Sequence, residues 1–157
     1  MILYLGTSSL VKLYVDEPNA ETIREWVREA EIVATCRVAY METMSAFERR
    51  FREKDFSKDD YGRLVEGFSR DWPAFVTVDF DELEAGSLMK KYGLRRFDAI
   101  HLSAAKCIKK ARNDISLFFS SADEKLNCAA AAEGLEVLDG RHEPRIMKKQ
   151  KKASSSA

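Results

Sequence analysis

The fold is decided by residues 2–9, which have the sequence Ile2-Leu-Tyr-Leu-Gly-Thr-Ser-Ser9. Four consecutive apolar residues that end at a glycine are typical of a short strand buried on both faces of a parallel sheet. The three hydroxyl residues that follow offer N-cap oxygens, so they predict a short helix around Leu10. A buried strand that leads directly into a helix is the repeating unit of an α/β protein.

The alternation of strands and helices continues along the chain. Short apolar or β-branched runs predict further strands over 32–36, 75–78, 115–119 and 135–138. Apolar residues at helical spacing predict helices over 20–30, 38–54, 57–71, 79–92, 98–111 and 123–133. Such an alternation implies right-handed crossovers between parallel strands. We therefore predict an α/β fold, a three-layer α/β/α sandwich with a central parallel sheet.

Length and composition indicate one domain followed by a tail. The chain has 157 residues, 45% apolar and 33% charged, as is usual for globular proteins. We assign residues 1–139 to the domain, which has 20 basic and 25 acidic side chains, and residues 140–157 to a tail that has six and one. The tail lacks apolar periodicity, so we predict that it is disordered. Two explanations of its basic charge stay open: the tail binds nucleic acid without sequence specificity, or it only keeps the protein soluble.

Cysteine usage and hydropathy indicate a cytoplasmic protein. The three cysteines, Cys36, Cys107 and Cys128, are odd in number, and none forms a CxxC pair. This usage suits a reducing compartment. No apolar run approaches the roughly 20 residues that cross a bilayer, and the first residues lack a signal-peptide pattern. We therefore predict neither secretion nor a membrane partner.

Oxygen-bearing side chains follow the first and fourth predicted strands, at the sheet edge where open parallel sheets bind ligands. Ser8 follows the first strand, and Ser121 and Asp123 follow the fourth. Two further acids, Glu42 and Asp98, lie near the starts of predicted helices. Mg²⁺ prefers hard oxygen ligands, and a water activated by the ion can attack a phosphodiester. The three acids are therefore candidate metal ligands and catalytic residues.

Each candidate also has a purely structural explanation. Asp98 and Asp123 lie at predicted helix starts, where a carboxylate caps free N–H groups without any metal. His101 shares a helix face with Asp98 and is either a buried histidine with a satisfied hydrogen bond or a ligand or base. Arg95 and Arg96 either hold an RNA phosphate or are solvated. No P-loop, GxGxxG, HExxH or GxSxG motif is present, which disfavours nucleotide-driven and serine-hydrolase chemistry.

Four short segments carry a family resemblance. They are Ile2–Lys12, Glu42–Ala46, Phe97–Ala105 and Phe118–Asp123. In this order and spacing they resemble the PIN-domain family, and most closely the VapC-like toxins of prokaryotic toxin–antitoxin pairs. The resemblance covers about residues 1–139.

The resemblance implies an endoribonuclease that depends on Mg²⁺ or Mn²⁺ and hydrolyses RNA. It also implies a homodimer that is held inactive by a small antitoxin, whose C-terminal segment occupies the active-site groove. By position, Glu42, Asp98 and Asp123 match the second, third and fourth acids of the family. Ser121 matches a family hydroxyl, and Ser8 lies where a small polar residue orients metal-bound water. The leading hypothesis is therefore a metal-dependent ribonuclease toxin.

Gly6 departs from the family pattern. It occupies the position of the first family acid, and a glycine offers no side-chain oxygen to a metal. Since the surrounding motif is intact, we predict an attenuated or inactive ribonuclease. A glycine that merely makes the turn after the strand is the alternative explanation. Two readings without catalysis also stay open: a silent PIN-like module that binds antitoxin or RNA, and a generic α/β domain whose acids are helix caps.

Overall fold

The computed structural model describes residues 1–140 and contains a five-stranded parallel sheet. Its strands are β1 (Ile2–Leu5), β2 (Ile32–Cys36), β3 (Val76–Val78), β4 (Leu117–Ser120) and β5 (Glu136–Leu138). They lie in the order β3-β2-β1-β4-β5, and each neighbouring pair is parallel. β1 is therefore the central strand of the sheet.

Helices connect the strands. Within residues 1–140 the α-helices are α1 (Thr7–Val11), α2 (Ala20–Glu29), α3 (Ala39–Arg52), α4 (Lys58–Asp71), α5 (Glu82–Tyr92), α6 (Arg96–Ala111) and α7 (Glu124–Ala132). One turn of 3-10 helix, Trp72–Ala74, follows α4. Every predicted helix and strand is present in the described part of the chain.

Alternate residues of β1 separate two apolar layers. All four β1 side chains are buried. Ile2 and Tyr4 belong to the core formed with α5, α6 and α7, whereas Leu3 and Leu5 belong to the core formed with α1 to α4. Helices therefore cover both faces of the sheet. The predicted α/β/α sandwich with a central parallel sheet is confirmed.

Two helix starts differ from their predicted positions by more than one residue. α6 begins at Arg96, two residues before the predicted start, and Arg95 is its N-cap residue. α5 begins at Glu82, three residues after the predicted start at 79. The later start arises because the Asp81 carboxylate accepts a hydrogen bond from the backbone N–H of Glu84 at 2.8 Å and caps the helix.

The fourth strand also lies later than predicted, at 117–120 instead of 115–119. Ser120 pairs with Leu5 of β1, and the carbonyl of Ser120 accepts a hydrogen bond from the N–H of Gly6 at 2.9 Å. The carboxyl ends of β1 and β4 are thereby level with each other. The loops that follow these two strands consequently lie side by side.

α3 and α4 form the predicted hairpin, and an aromatic cluster packs around Phe68. Ring centroids of Tyr14, Tyr40, Phe47 and Trp72 lie 5.3, 5.3, 5.9 and 5.6 Å from that of Phe68. Phe47 and Phe68 are fully buried. The apolar pattern of the hairpin is compatible with both a core and an interface, and these two side chains belong to the core.

Three sequence predictions concern the tail, the thiols and the membrane. The predicted disordered tail lies outside the described residues from residue 141 onward. Cys36, Cys107 and Cys128 are free cysteines. No helix within residues 1–140 is both long and apolar enough to cross a bilayer.

Candidate active site

A cleft of about 560 Å³ lies at the carboxyl ends of β1 and β4. It is lined by the loops after these strands, by α1, by one face of α3 from Met41 to Arg50, and by the N-terminal parts of α6 and α7. This is the edge at which parallel sheets bind ligands. Arg96, for which the sequence allows a phosphate contact or a solvated position, is exposed and does not line the cleft. The predicted site residues that the structure brings together are Ser8, Glu42, Arg95, Asp98, Ser121 and Asp123.

Glu42 lies in the first turn of α3 and has two side-chain donors. Its Oε1 atom accepts hydrogen bonds from the Thr7 hydroxyl at 2.9 Å and from His101 Nε2 at 2.7 Å. His101 is buried, and its Nδ1 atom lies 2.8 Å from the hydroxyl of Tyr4. The carboxylate is thereby connected to β1, α1 and α6, and these contacts fix its orientation.

The protons of this network follow from a count of donors and acceptors. Burial raises the pKa of Tyr4 well above its ordinary value, so the phenol keeps its proton and is the donor to Nδ1 of a neutral His101. Thr7 donates its single hydroxyl proton to Glu42. The 2.9 Å contact between Thr7 Oγ1 and His101 Nε2 therefore requires the proton on Nε2. His101 is a buried histidine with both ring nitrogens hydrogen-bonded, one of the two alternatives that its sequence position allows.

Tyr4→Phe tests this network. The variant leaves a buried imidazole nitrogen without its donor, so we expect the free energy of unfolding to fall by about 1–3 kcal/mol. Tyr40→Phe is the matched control, because within residues 1–140 the Tyr40 hydroxyl makes only an exposed contact, with Ser69 Oγ at 3.0 Å. The control is expected to change stability by no more than about 0.5 kcal/mol. Urea unfolding of both variants provides the measurement, and equal losses would contradict the assignment.

Asp98 and Asp123 share one guanidinium group. Arg95 Nε donates to Asp98 Oδ2 at 2.8 Å, and a terminal nitrogen of the same side chain lies 3.4 Å from Asp123 Oδ2. Asp123 also caps α7, because its Oδ1 accepts a hydrogen bond from the Leu126 N–H at 2.8 Å. Asp98 does not cap α6, whose N-cap residue is Arg95. The capping explanation is therefore confirmed for Asp123. Asp98 is not the N-cap residue, but it lies in the first turn of α6, where its charge interacts favourably with the positive end of the helix dipole.

Ser8 and Ser121 join the loops that follow β1 and β4. Their hydroxyl oxygens are 3.2 Å apart. Ser8 Oγ also accepts a hydrogen bond from the N–H of Ala122 at 2.9 Å, and Ser121 Oγ accepts one from the N–H of Asp123 at 3.0 Å. The two hydroxyls therefore hold the loop that leads into α7 and so position Asp123.

The acids are not arranged as a metal site. Within residues 1–140, no group of three or more His, Cys, Asp or Glu side chains is placed so that it could hold a metal ion. Carboxylates are the donors that Mg²⁺ prefers. Asp98 and Asp123, however, pair with Arg95. Glu42 accepts hydrogen bonds from Thr7 and His101. The residue types suit a divalent ion, but the described arrangement does not fit one.

Gly6 has an ordinary backbone conformation. Its φ and ψ are −66° and 159°, which any L-residue adopts. A Cβ atom at this position would meet Ser120 O at 3.4 Å and Ser121 Cβ at 3.5 Å, which are van der Waals contacts. The turn after β1 therefore does not require a glycine at position 6. The position can accept a side chain next to the cleft.

The sequence predicts no role in the site for Tyr4 or Arg49, and it does not predict that Thr7 contacts Glu42. Thr7 lies two residues after the end of β1, and that position is the signal by which it could have been found. The hydroxyl of Tyr4 is a weaker signal, because a buried tyrosine usually has a hydrogen-bond partner. Arg49 lies on α3, lines the cleft, and makes no side-chain hydrogen bond or ion pair with the part of the chain that is described. Nothing in the local sequence distinguishes it from a solvated helix residue.

The fold and the cleft define a PIN-like α/β domain. The family model of the PIN domain matches residues 3–132, and the chain belongs to this family. The chain is 25% identical over 146 residues to ribonuclease VapC45 of Mycobacterium tuberculosis, and the match covers 91% of this chain and 99% of that protein. It is 30% identical over 116 residues to ribonuclease VapC of Mycolicibacterium smegmatis, with coverage of 73% and 84%. The resemblance to VapC-like PIN proteins is confirmed.

Solved structures agree on the fold. FitAcB from Neisseria gonorrhoeae superposes with a TM-score of 0.62 at 19% identity, over 91% of this chain and all (100%) of that chain. PAE2754 from Pyrobaculum aerophilum superposes with a TM-score of 0.60 at 15% identity, over 87% and 89%. At these identities the likeness concerns the fold alone.

Proposed function

We propose that the chain is an endoribonuclease toxin of the VapC type whose cleavage is attenuated by Gly6. The observation that carries this proposal is the convergence of Glu42, Asp98 and Asp123 in one cleft at the carboxyl ends of β1 and β4. Three carboxylates in one cleft repel one another, so such a cluster seldom persists for structure alone. The curated VapC relatives, which are named ribonucleases, support RNA as the substrate.

Basic and apolar side chains of the cleft suit an RNA strand. Arg49 and Arg95 line it, and guanidinium groups bind phosphate oxygens in forked geometry. Met41 and Phe97 are exposed apolar residues on the same surface, 68% and 38% accessible, and an unpaired base can stack on such groups. The predicted domain has more acidic than basic residues. RNA affinity should therefore depend on this local group and fall as salt rises.

Dependence on Mg²⁺ or Mn²⁺ is part of the proposal through the VapC resemblance. Glu42, Asp98 and Asp123 are the residues that would hold the ion, and Ser8 and Ser121 are the supporting hydroxyls. Because the described arrangement does not fit an ion, Arg95 must first leave Asp98 and Asp123. An antitoxin partner, a homodimeric state and a cytoplasmic location are proposed on the same resemblance.

A catalytically silent PIN-like module that binds antitoxin or RNA is the second candidate. Two observations favour it: the first family acid is replaced by Gly6, and Arg95 already pairs with two of the three remaining acids. Such a module keeps the fold and the cleft but does not hydrolyse RNA.

The test is cleavage of a mixed RNA substrate by the chain and by Glu42→Gln, with Mn²⁺ or Mg²⁺ and with a chelator. We expect slow metal-dependent cleavage that falls by at least about tenfold in Glu42→Gln, in line with the usual effect of removing a metal-site group. Glu48→Gln is the matched control on the same helix, because Glu48 bonds to Tyr61 instead of lining the cleft.

Equal cleavage by the two glutamine variants would contradict the proposed site. If none of the three proteins cuts RNA while all of them fold, the silent module becomes the better account.

A further inference from the structure

Arg95 occupies an unusual place in the cleft. It is the N-cap residue of α6, and its side chain is 78% exposed, yet it contacts acids on two different elements. Its Nε atom bonds to Asp98, 18% exposed, at 2.8 Å, and its terminal nitrogen lies 3.4 Å from Asp123, 33% exposed. A single cation therefore bridges the two carboxylates that α6 and α7 contribute to the cleft.

We infer that Arg95 is an internal counter-cation that competes with a divalent ion for Asp98 and Asp123. This inference rests on the proposed function, because it concerns the same three acids. The inference also explains why no group of residues within 1–140 is placed to hold a metal ion. The guanidinium contacts the Oδ2 atoms of Asp98 and Asp123, which a divalent ion would need as ligands.

The electrostatics of the cleft support this role. The hydrogen bond with Asp98 raises the pKa of Arg95 above its ordinary value, and the charges of Asp123 and Glu42 act in the same direction. The guanidinium thus interacts favourably with all three acids. Without a cation, the carboxylates would repel one another.

Gly6 changes the balance between the two cations. A divalent ion gains more than a guanidinium from each added carboxylate, because the interaction scales with its charge. An acid at position 6 would favour the metal, whereas Gly6 leaves one fewer carboxylate and so favours Arg95. Gly6 and the pairing of Arg95 with the two aspartates therefore both weaken the binding of a divalent ion in the cleft.

The experiment is a titration of the full chain with Mn²⁺, without RNA, in which electron paramagnetic resonance reports the free ion. Arg95→Gln is compared with Arg96→Gln, which removes the same charge from the adjacent residue but from outside the cleft. We expect Arg95→Gln to bind Mn²⁺ about threefold to tenfold more tightly than the unmodified chain, the range for losing one or two exposed ion pairs. Arg96→Gln should bind like the unmodified chain. Circular dichroism verifies that both variants fold.

Equal affinities for both variants would overturn the inference, because a general change of charge would then explain any effect. Weaker binding by Arg95→Gln would also overturn it, since Arg95 would then position the acids for the metal. The same titration and an RNA cleavage assay on Gly6→Asp separate this inference from the proposed function. Cleavage by Gly6→Asp without an Arg95 effect removes the inference alone, whereas a failure of every variant to bind Mn²⁺ and to cut RNA removes both.

Discussion

Gly6→Asp is expected to raise metal-dependent RNA cleavage by about 100-fold relative to the unmodified chain. The size follows from the effect of groups that support metal sites, which commonly change affinity or activity by about 10- to 100-fold. The variant restores a carboxylate at the position where the VapC resemblance has its first acid. Cleavage of a mixed RNA by both proteins, at matched salt and Mn²⁺, provides the measurement.

The structure supports the assumption that this variant folds. The backbone of Gly6 has an extended conformation open to any L-residue, and the added Cβ would make ordinary contacts with Ser120 and Ser121. Gly6 is also the N-cap residue of α1, and because glycine has no side chain, the helix lacks a side-chain cap. An aspartate is a preferred N-cap residue, and this preference offsets part of the repulsion that a further carboxylate meets in the cleft, so the variant should still fold.

Gly6→Asn is the matched control for charge. Asparagine has nearly the same shape as aspartate and caps helices as well, but it brings no negative charge. We expect the asparagine variant to cut RNA at close to the rate of the unmodified chain. A similar gain in both variants would mean that the loop geometry, and not a missing ligand, limits cleavage. No gain in either variant would favour the silent module.

Phe68→Ala is expected to lower the free energy of unfolding by about 3–5 kcal/mol, the range for truncating a fully buried phenylalanine. Phe68 is 0% exposed, and four other rings surround it. At this chain length the loss corresponds to a fall of about 10 °C in melting temperature. The measurement is guanidinium unfolding with thermal melting as a second readout.

Phe97→Ala is the control for the same chemical change. Phe97 is 38% exposed and lies at the cleft, so its truncation should cost less than about 1 kcal/mol. A loss for Phe68→Ala that is no larger than for Phe97→Ala would show that the aromatic cluster does not hold the α3–α4 hairpin in place.

The fold could be predicted because its strands have a local signature. The run from Ile2 to Leu5 is apolar at every position, and the structure buries all four side chains between two layers of helices. Element boundaries were less predictable where a side chain decides them. The Asp81 carboxylate delays the start of α5, and no periodicity of apolar residues reports such a bond.

The candidate acids could be selected from strand ends and family position, but their partners could not. Glu42 is bonded by His101, and the two are far apart in sequence, so only the pairing of strands and packing of helices bring them together. The sequence allows Arg95 and Arg96 either to hold a phosphate or to be solvated, and does not distinguish the two residues. The helix starts earlier than predicted, and as its N-cap residue Arg95 reaches Asp98 and Asp123, whereas Arg96 lies outside the cleft.

The central position of β1 also determines how the chain must assemble. Ile2 pairs with Ile32 on one side, but its other neighbour, Leu117, belongs to a strand that leaves the ribosome much later. During synthesis one side of β1 therefore has no strand to pair with until most of the described chain has emerged. Late pairing of distant parallel strands slows folding and leaves an apolar edge open to aggregation. The strand that leads into the cleft is thus also a strand that needs protection while the protein is being synthesised.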